Sequence, residues 1–152
     1  MVQPLMEDPS FGVGLNGAWR AVLSLSAATN GDWETARVQA KCAAAAVEAR
    51  PDDAWTATSA ALLAEAAVLL NDPELARLAE EILRPRSGWA VVLGNGSAYL
   101  GPADRYRGLA ATLTGAHDPG ELFSQAVSQA RTTGAKAWEQ RAAENLAKLE
   151  RV

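Results

Sequence analysis

An all-α fold is predicted, and three observations predict it. Apolar residues recur at spacings of three and four along most of the chain, the period of a helix with one buried face. Alanine is the commonest apolar residue, and runs of β-branched residues are nearly absent. Ala and Leu lose little freedom in a helix, whereas strands favour branched and aromatic side chains. The length of 152 residues suits one ordinary domain with a single sizeable core.

Residues 1–14 read as an N-terminal arm and 15–152 as one helical domain. Within it the periodicity marks helical hairpins at about 15–50, 53–84 and 102–133 and a closing helix at about 135–151. An insertion at about 86–101 interrupts the series. Each hairpin turn carries an Asp just before its second helix: Asp32, Asp72 and Asp118. Such an Asp accepts hydrogen bonds from the first free backbone N–H groups. Pro73 and Pro119 follow at the first helical position, where a missing N–H costs nothing. Glu34, Glu74 and Glu121 place negative charge against the positive end of each helix dipole.

The first and second hairpins end alike, at Arg50-Pro51 and Arg84-Pro85, and Trp55 and Trp89 share the same 34-residue offset. Proline past a helix end stops the helix. Helix–turn–helix units of this kind stack side by side, each burying its apolar face against its neighbours. The offset is that of a tetratricopeptide repeat, although the Asp-to-Asp intervals of 40 and 46 make the repeat degenerate.

The second half of the chain, with "LGPADRYRGLAATLTG" from Leu100 and "FSQAVSQARTTGAKAW" from Phe123, resembles the C-terminal tetratricopeptide-like helices of large bacterial regulators. Those are multidomain ATPases of the LuxR or transcriptional-activator type, with relatives linked to adenylate cyclase domains. The first half resembles them only in style. Arg107 stands where that family commonly has leucine, and no nucleotide-binding or DNA-reading domain accompanies these helices. The resemblance implies an interaction portion standing alone, regulatory in role.

The stretch "GNGSAYLGPADRYRG" from Gly94 invites comparison with a phosphate loop. Gly96 to Gly101 has the glycine spacing of one, but Pro102 follows where Lys is required, and no Gly-x-Gly-x-x-Gly pattern appears. A structural role is expected instead. Gly101 reads as the helix cap, Pro102 as the first helical residue and Asp104 as a first-turn acid. Gly94, Asn95 and Gly96 permit the chain reversal before it.

The net charge of −4 without a basic patch argues against nucleic acid as a partner. The start of the chain lacks the pattern of a secretory signal, and no apolar run reaches the roughly 18 residues of a membrane span. A cytoplasmic protein is expected. One cysteine and one histidine supply neither a disulfide nor a metal cluster, so no metal and no cofactor are expected. His117 reads as an exposed turn residue and Cys42 as a small packed apolar one. The pair Asp52-Asp53 reads as a cap for the helix that follows.

Asp104 and Arg107 are spaced to pair on one helix face. Trp19, Trp55 and Trp138 fall on core faces, while Trp33 at a helix start and Trp89 in the insertion are candidates for exposed contact. The leading function is non-catalytic: a helical-repeat interaction module that takes a protein or peptide in its concave groove. Groove candidates are Arg20, Ser24, Thr56, Ser59, Trp89, Tyr99, Asp104, Arg105 and Tyr106. A rival reading is a small-molecule-binding protein or accessory enzyme of secondary metabolism, with an apolar pocket walled by tryptophans. There Asp104, Arg105, Tyr99 and Tyr106 would orient or protonate a small apolar ligand. A homodimer formed through an uncapped end is a third reading.

Overall fold

The computed structural model describes residues 13–94 and 96–151, with side chains from Asn16 onward. Most of the predicted arm, the side chain of Leu15, and Asn95 lie outside the described residues. The chain is mostly helical, as predicted. Among the described residues seven α-helices run in order: α1 Val13–Thr29, α2 Trp33–Ala49, α3 Thr56–Leu70, α4 Pro73–Leu83, α5 Ala103–Thr114, α6 Pro119–Thr132 and α7 Lys136–Leu149.

The three turn aspartates act as read. Asp32 accepts from Thr35 N at 3.1 Å, Asp72 from Glu74 N and Leu75 N at 3.1 and 3.0 Å, and Asp118 from Gly120 N at 2.8 Å. Asn71, at φ 50°, closes α3 in the left-handed conformation that Asn tolerates.

Consecutive helices pack on one another, and α3 also packs on α1 and α5. Ten of the fifteen residues of α3 are buried, so it is an interior helix and not a surface one. Two apolar clusters result. One joins α1 to α4 through alanines such as Ala21, Ala40 and Ala76 with Leu63, Leu70 and Leu75. The other gathers Ala60, Leu83, Val91, Tyr106 and Phe123 beneath α5 and α6. Alanine at these positions lets helix backbones approach closely.

The insertion is not an unstructured excursion. A 3₁₀ turn at Arg84–Arg86 leads to strand β1, Ala90–Val92, which pairs antiparallel with β2, Tyr99–Pro102. Val91 is buried, and the Thr58 hydroxyl donates to the Val92 carbonyl at 2.8 Å, which stitches this ribbon to α3.

The cap assignment on α5 is corrected. The helix begins at Ala103, and Gly101 and Pro102 belong to β2. Gly101 has φ +103°, and a Cβ there would stand 2.6 Å from Cε3 of Trp138. Its glycine therefore permits close approach of an indole.

Two core assignments also change. Trp19 is 39% exposed, because it walls an apolar cleft with Val22, Trp55, Thr58 and Leu93 instead of lying between helices. Cys42 is exposed, being off the buried stripe Ala36–Ala40–Ala43–Val47 of α2. Asp53 accepts from Trp55 N at 2.8 Å within the turn ahead of α3, but the cap position is Trp55, two residues further on, so Asp53 shapes the turn and does not cap the helix.

Gly108 lets α6 close on α5, since a Cβ there would meet Phe123 Cε1 at 2.5 Å. Gly108→Ala should lower stability by about 1–3 kcal/mol, the usual cost of overpacking, measured as a reduced urea midpoint at unchanged slope.

Candidate functional site

Helix α5 is buried continuously from Ala103 to Ala111, and three of those residues are charged. Taking a charge out of water is costly unless it is paired and hydrogen-bonded. Each of the three is. On one side, Asp104 accepts from Ser87 Oγ at 2.9 Å, from Gly88 N at 2.7 Å and from Arg107 Nη1 at 2.8 Å. Arg107 reaches Glu80 with Nη2 at 3.2 Å. Glu80, only 2% exposed, also holds Arg84 Nη2 at 2.7 Å and faces His117 Nε2 at 3.2 Å.

This array ties α4, the 3₁₀ turn and the α5–α6 turn to the first turn of α5. Asp104 and Arg107 pair as their spacing suggested, and the pair is buried, which makes both structural residues and not groove residues. Glu80 was not singled out in the sequence, although its i,i+4 relation to Arg84 was visible there.

Burial raises the Glu80 pKa, but hydrogen bonds and attraction from Arg84 and Arg107 outweigh it and hold the group below the ordinary glutamate value. A carboxylate whose folded pKa is depressed contributes stability above its unfolded pKa and loses it as pH falls through the folded value. Stability should therefore decline below about pH 5. Glu80→Gln should flatten that acid limb, followed as ΔG of unfolding between pH 3 and 7.

On the opposite side of α5, Arg105 donates to Glu65 Oε1 at 2.7 Å and to Asn145 Oδ1 at 3.0 Å. Its guanidinium lies 5.0 Å from the Tyr106 ring centre and 5.8 Å from that of Trp138. Arg141 covers Trp138 at 5.0 Å, and Tyr99 meets it edge-on at 6.1 Å. Tyr106 donates to the Leu100 carbonyl, and burial pushes its pKa up. It is a locked core residue and not a proton donor.

Arg105 opens onto a cleft of about 480 Å³. Leu25 and Thr29 of α1, Val68 and Leu69 of α3, Leu109 of α5, and Arg141 and Lys148 of α7 line it. Every odd-numbered helix contributes. Val68 and Leu69 are exposed on a helix otherwise mostly buried, and Leu69 is 44% exposed. The cleft is open, and its lining mixes polar and apolar groups.

The other candidates lie elsewhere. Ser24, Thr56 and Ser59 are buried, with hydroxyls donating to the Ala36, Arg50 and Trp55 carbonyls. Arg20 donates to Asn16 within α1 and ties α1 to α2 through Gln39. The Ser24 and Thr56 hydroxyls tie α1 and α3 to α2 and its C-terminal end, and Ser59 bonds back within the first turn of its own helix, so all three are engaged inside the fold. Trp33 is exposed at the start of α2, and Trp89, 66% exposed, borders a separate cleft with Pro51, Ile82 and Pro85. Only Arg105 of the predicted set lines the cleft of the odd helices, with Tyr99 and Tyr106 supporting it from behind. The residues missed include Glu65, Val68, Leu69, Arg141, Glu144 and Lys148. An apolar Val-Leu pair off the buried face of α3 was the signal available.

Among the described residues no group of three His, Cys, Asp or Glu side chains is placed to hold a metal ion, and no helix is long and apolar enough to cross a membrane. Comparison with protein-family models, curated proteins and solved structures finds no match.

Proposed function

We propose that this chain is a cytoplasmic, tetratricopeptide-like interaction module, regulatory in role, that takes a segment of a protein partner in the cleft of its odd-numbered helices. One observation carries the reading: α1, α3, α5 and α7, the first helix of each hairpin and the closing helix, share one open trough with exposed Val68 and Leu69 at its floor. In stacked hairpins the first helices face the concave side.

The small-molecule reading has one observation in its favour, the wholly apolar cleft between Trp19, Val22, Trp55 and Leu93. Its volume of about 140 Å³ falls short of the several hundred Å³ usual for ligand pockets. The interaction reading is therefore preferred.

A photo-crosslinking amino acid at position 69 should capture a discrete partner from lysate of the source organism, and the same group at position 89 should not. Val68→Asp, at an exposed cleft position, should reduce capture from position 69 about tenfold or more, as loss of an apolar anchor does. Capture insensitive to that substitution, or equal from both positions, overturns the assignment of this cleft. Tryptophan fluorescence responding to one member of a metabolite panel would favour the rival.

A further inference from the structure

The two walls of the cleft differ in charge. The α1 wall offers Leu25 and Thr29, and on α3 the single charge, Glu65, is neutralised by Arg105 at 2.7 Å. The α7 wall carries Arg141 and Lys148, neither within ion-pair distance of a carboxylate among the described residues. Glu144 stands between them and accepts from Gln140 Nε2 at 2.9 Å. With the Glu144 carboxylate counted against Arg141 and Lys148 the α7 rim keeps a net charge of +1, whereas the other walls are neutral and the whole chain is at −4.

Arg141 and Lys148 are seven residues apart, so they stand on one face of α7 about 10 Å apart along its axis, at about 1.5 Å per residue. Carboxylates seven residues apart on a bound helix have the same rise. The floor between the walls, Val68, Leu69 and Leu109, is apolar and takes the buried stripe of such a helix.

From this asymmetry we infer that the occupant is an acidic amphipathic helix of the partner. Its apolar stripe lies on α3 and α5, and two carboxylates two turns apart face Arg141 and Lys148. The inference rests on the interaction reading and adds to it the partner's charge, its conformation and the side on which its acids lie.

Three fluorescent helical peptides of about five turns (roughly 18 residues) test it by anisotropy. All share one leucine stripe. The first places Glu at two positions seven apart beside the stripe, the second Lys at those positions, and the third the same Glu pair on the opposite face. The first should bind wild type about tenfold more tightly than the second or third, and the preference should shrink with added salt. In the double variant Arg141→Glu/Lys148→Glu, both positions being exposed, the order of the first two should invert. A circular dichroism melt on each variant establishes that it is folded, and Lys148→Glu alone, remote from the Trp138 stack, should give a partial loss.

Equal binding of all three peptides, abolished by Val68→Asp, would overturn the acidic-helix inference and leave the cleft reading standing. Binding of none would remove the inference. The cleft reading would then stand or fall on crosslinking from position 69. Tight self-association of the unliganded protein, relieved by Arg141→Glu/Lys148→Glu, would make a second copy the occupant and overturn the inference.

Discussion

Arg107→Met should destabilise the protein by about 3–5 kcal/mol, because it removes one member of a buried ionic array and leaves its partners uncompensated. Arg107 is the cation that Asp104 and Glu80 share, at 2.8 and 3.2 Å. All three side chains are nearly inaccessible. Methionine fills the space of the aliphatic stem, so the loss measures charge more than volume. Arg84 remains on Glu80, but Asp104 keeps only the Ser87 hydroxyl and the Gly88 N–H. At roughly 2–4 °C per kcal/mol for a domain of this size, the melting temperature should fall by about 10 °C.

A triple variant, Arg107→Met with Asp104→Asn and Glu80→Gln, should recover a substantial part of that loss, because neutral side chains no longer demand a counter-charge. Replacing a buried ion pair by neutral groups is often close to neutral in stability. Equal instability of the single and triple variants would mean that shape at position 107, and not charge, holds the array together.

The sequence showed the helices better than what joins them. Asp32, Asp72 and Asp118 act locally: each caps with its own carboxylate on N–H groups two or three residues ahead, so their role is written within one turn of chain. The β-ribbon was hidden because its strands are three and four residues long and its register depends on partners distant in sequence. Thr58 holds Val92, and Asp104 holds Gly88. Periodicity cannot report such contacts.

The same limit governs the cleft. Arg105 was found because it sits in a dense polar cluster. Arg141 and Lys148 drew no reading from the sequence; they form a wall because α7 packs on α6 and Asn145 meets Arg105 of α5. Polar type alone also misled for Ser24, Thr56 and Ser59. Hydroxyls on interior helices were read as groove residues, but they donate to backbone carbonyls.

Gly101→Ala should cost about 2–5 kcal/mol, the sum of two independent penalties. A left-handed backbone costs an L-residue roughly 1–2 kcal/mol, and forcing a methyl into filled space typically costs about 1–3 kcal/mol. Gly101 has φ +103°, and the added Cβ would stand 2.6 and 2.8 Å from Trp138 ring atoms. The indole cannot retreat freely, because Arg105 and Arg141 stack on it and Tyr99 abuts its edge. Displacing it disturbs Arg105 and hence the charge balance of the cleft, so peptide affinity at the α7 wall should fall together with stability. Trp138→Leu removes the ring that the methyl meets. In a double-mutant cycle the pair Gly101→Ala/Trp138→Leu should therefore lose less than the sum of the single losses, by about 1–3 kcal/mol. The part that survives in the Trp138→Leu background is the backbone strain alone. Strict additivity in urea denaturation would assign the whole effect to the dihedral angle and break the link between this glycine, the indole and the cleft.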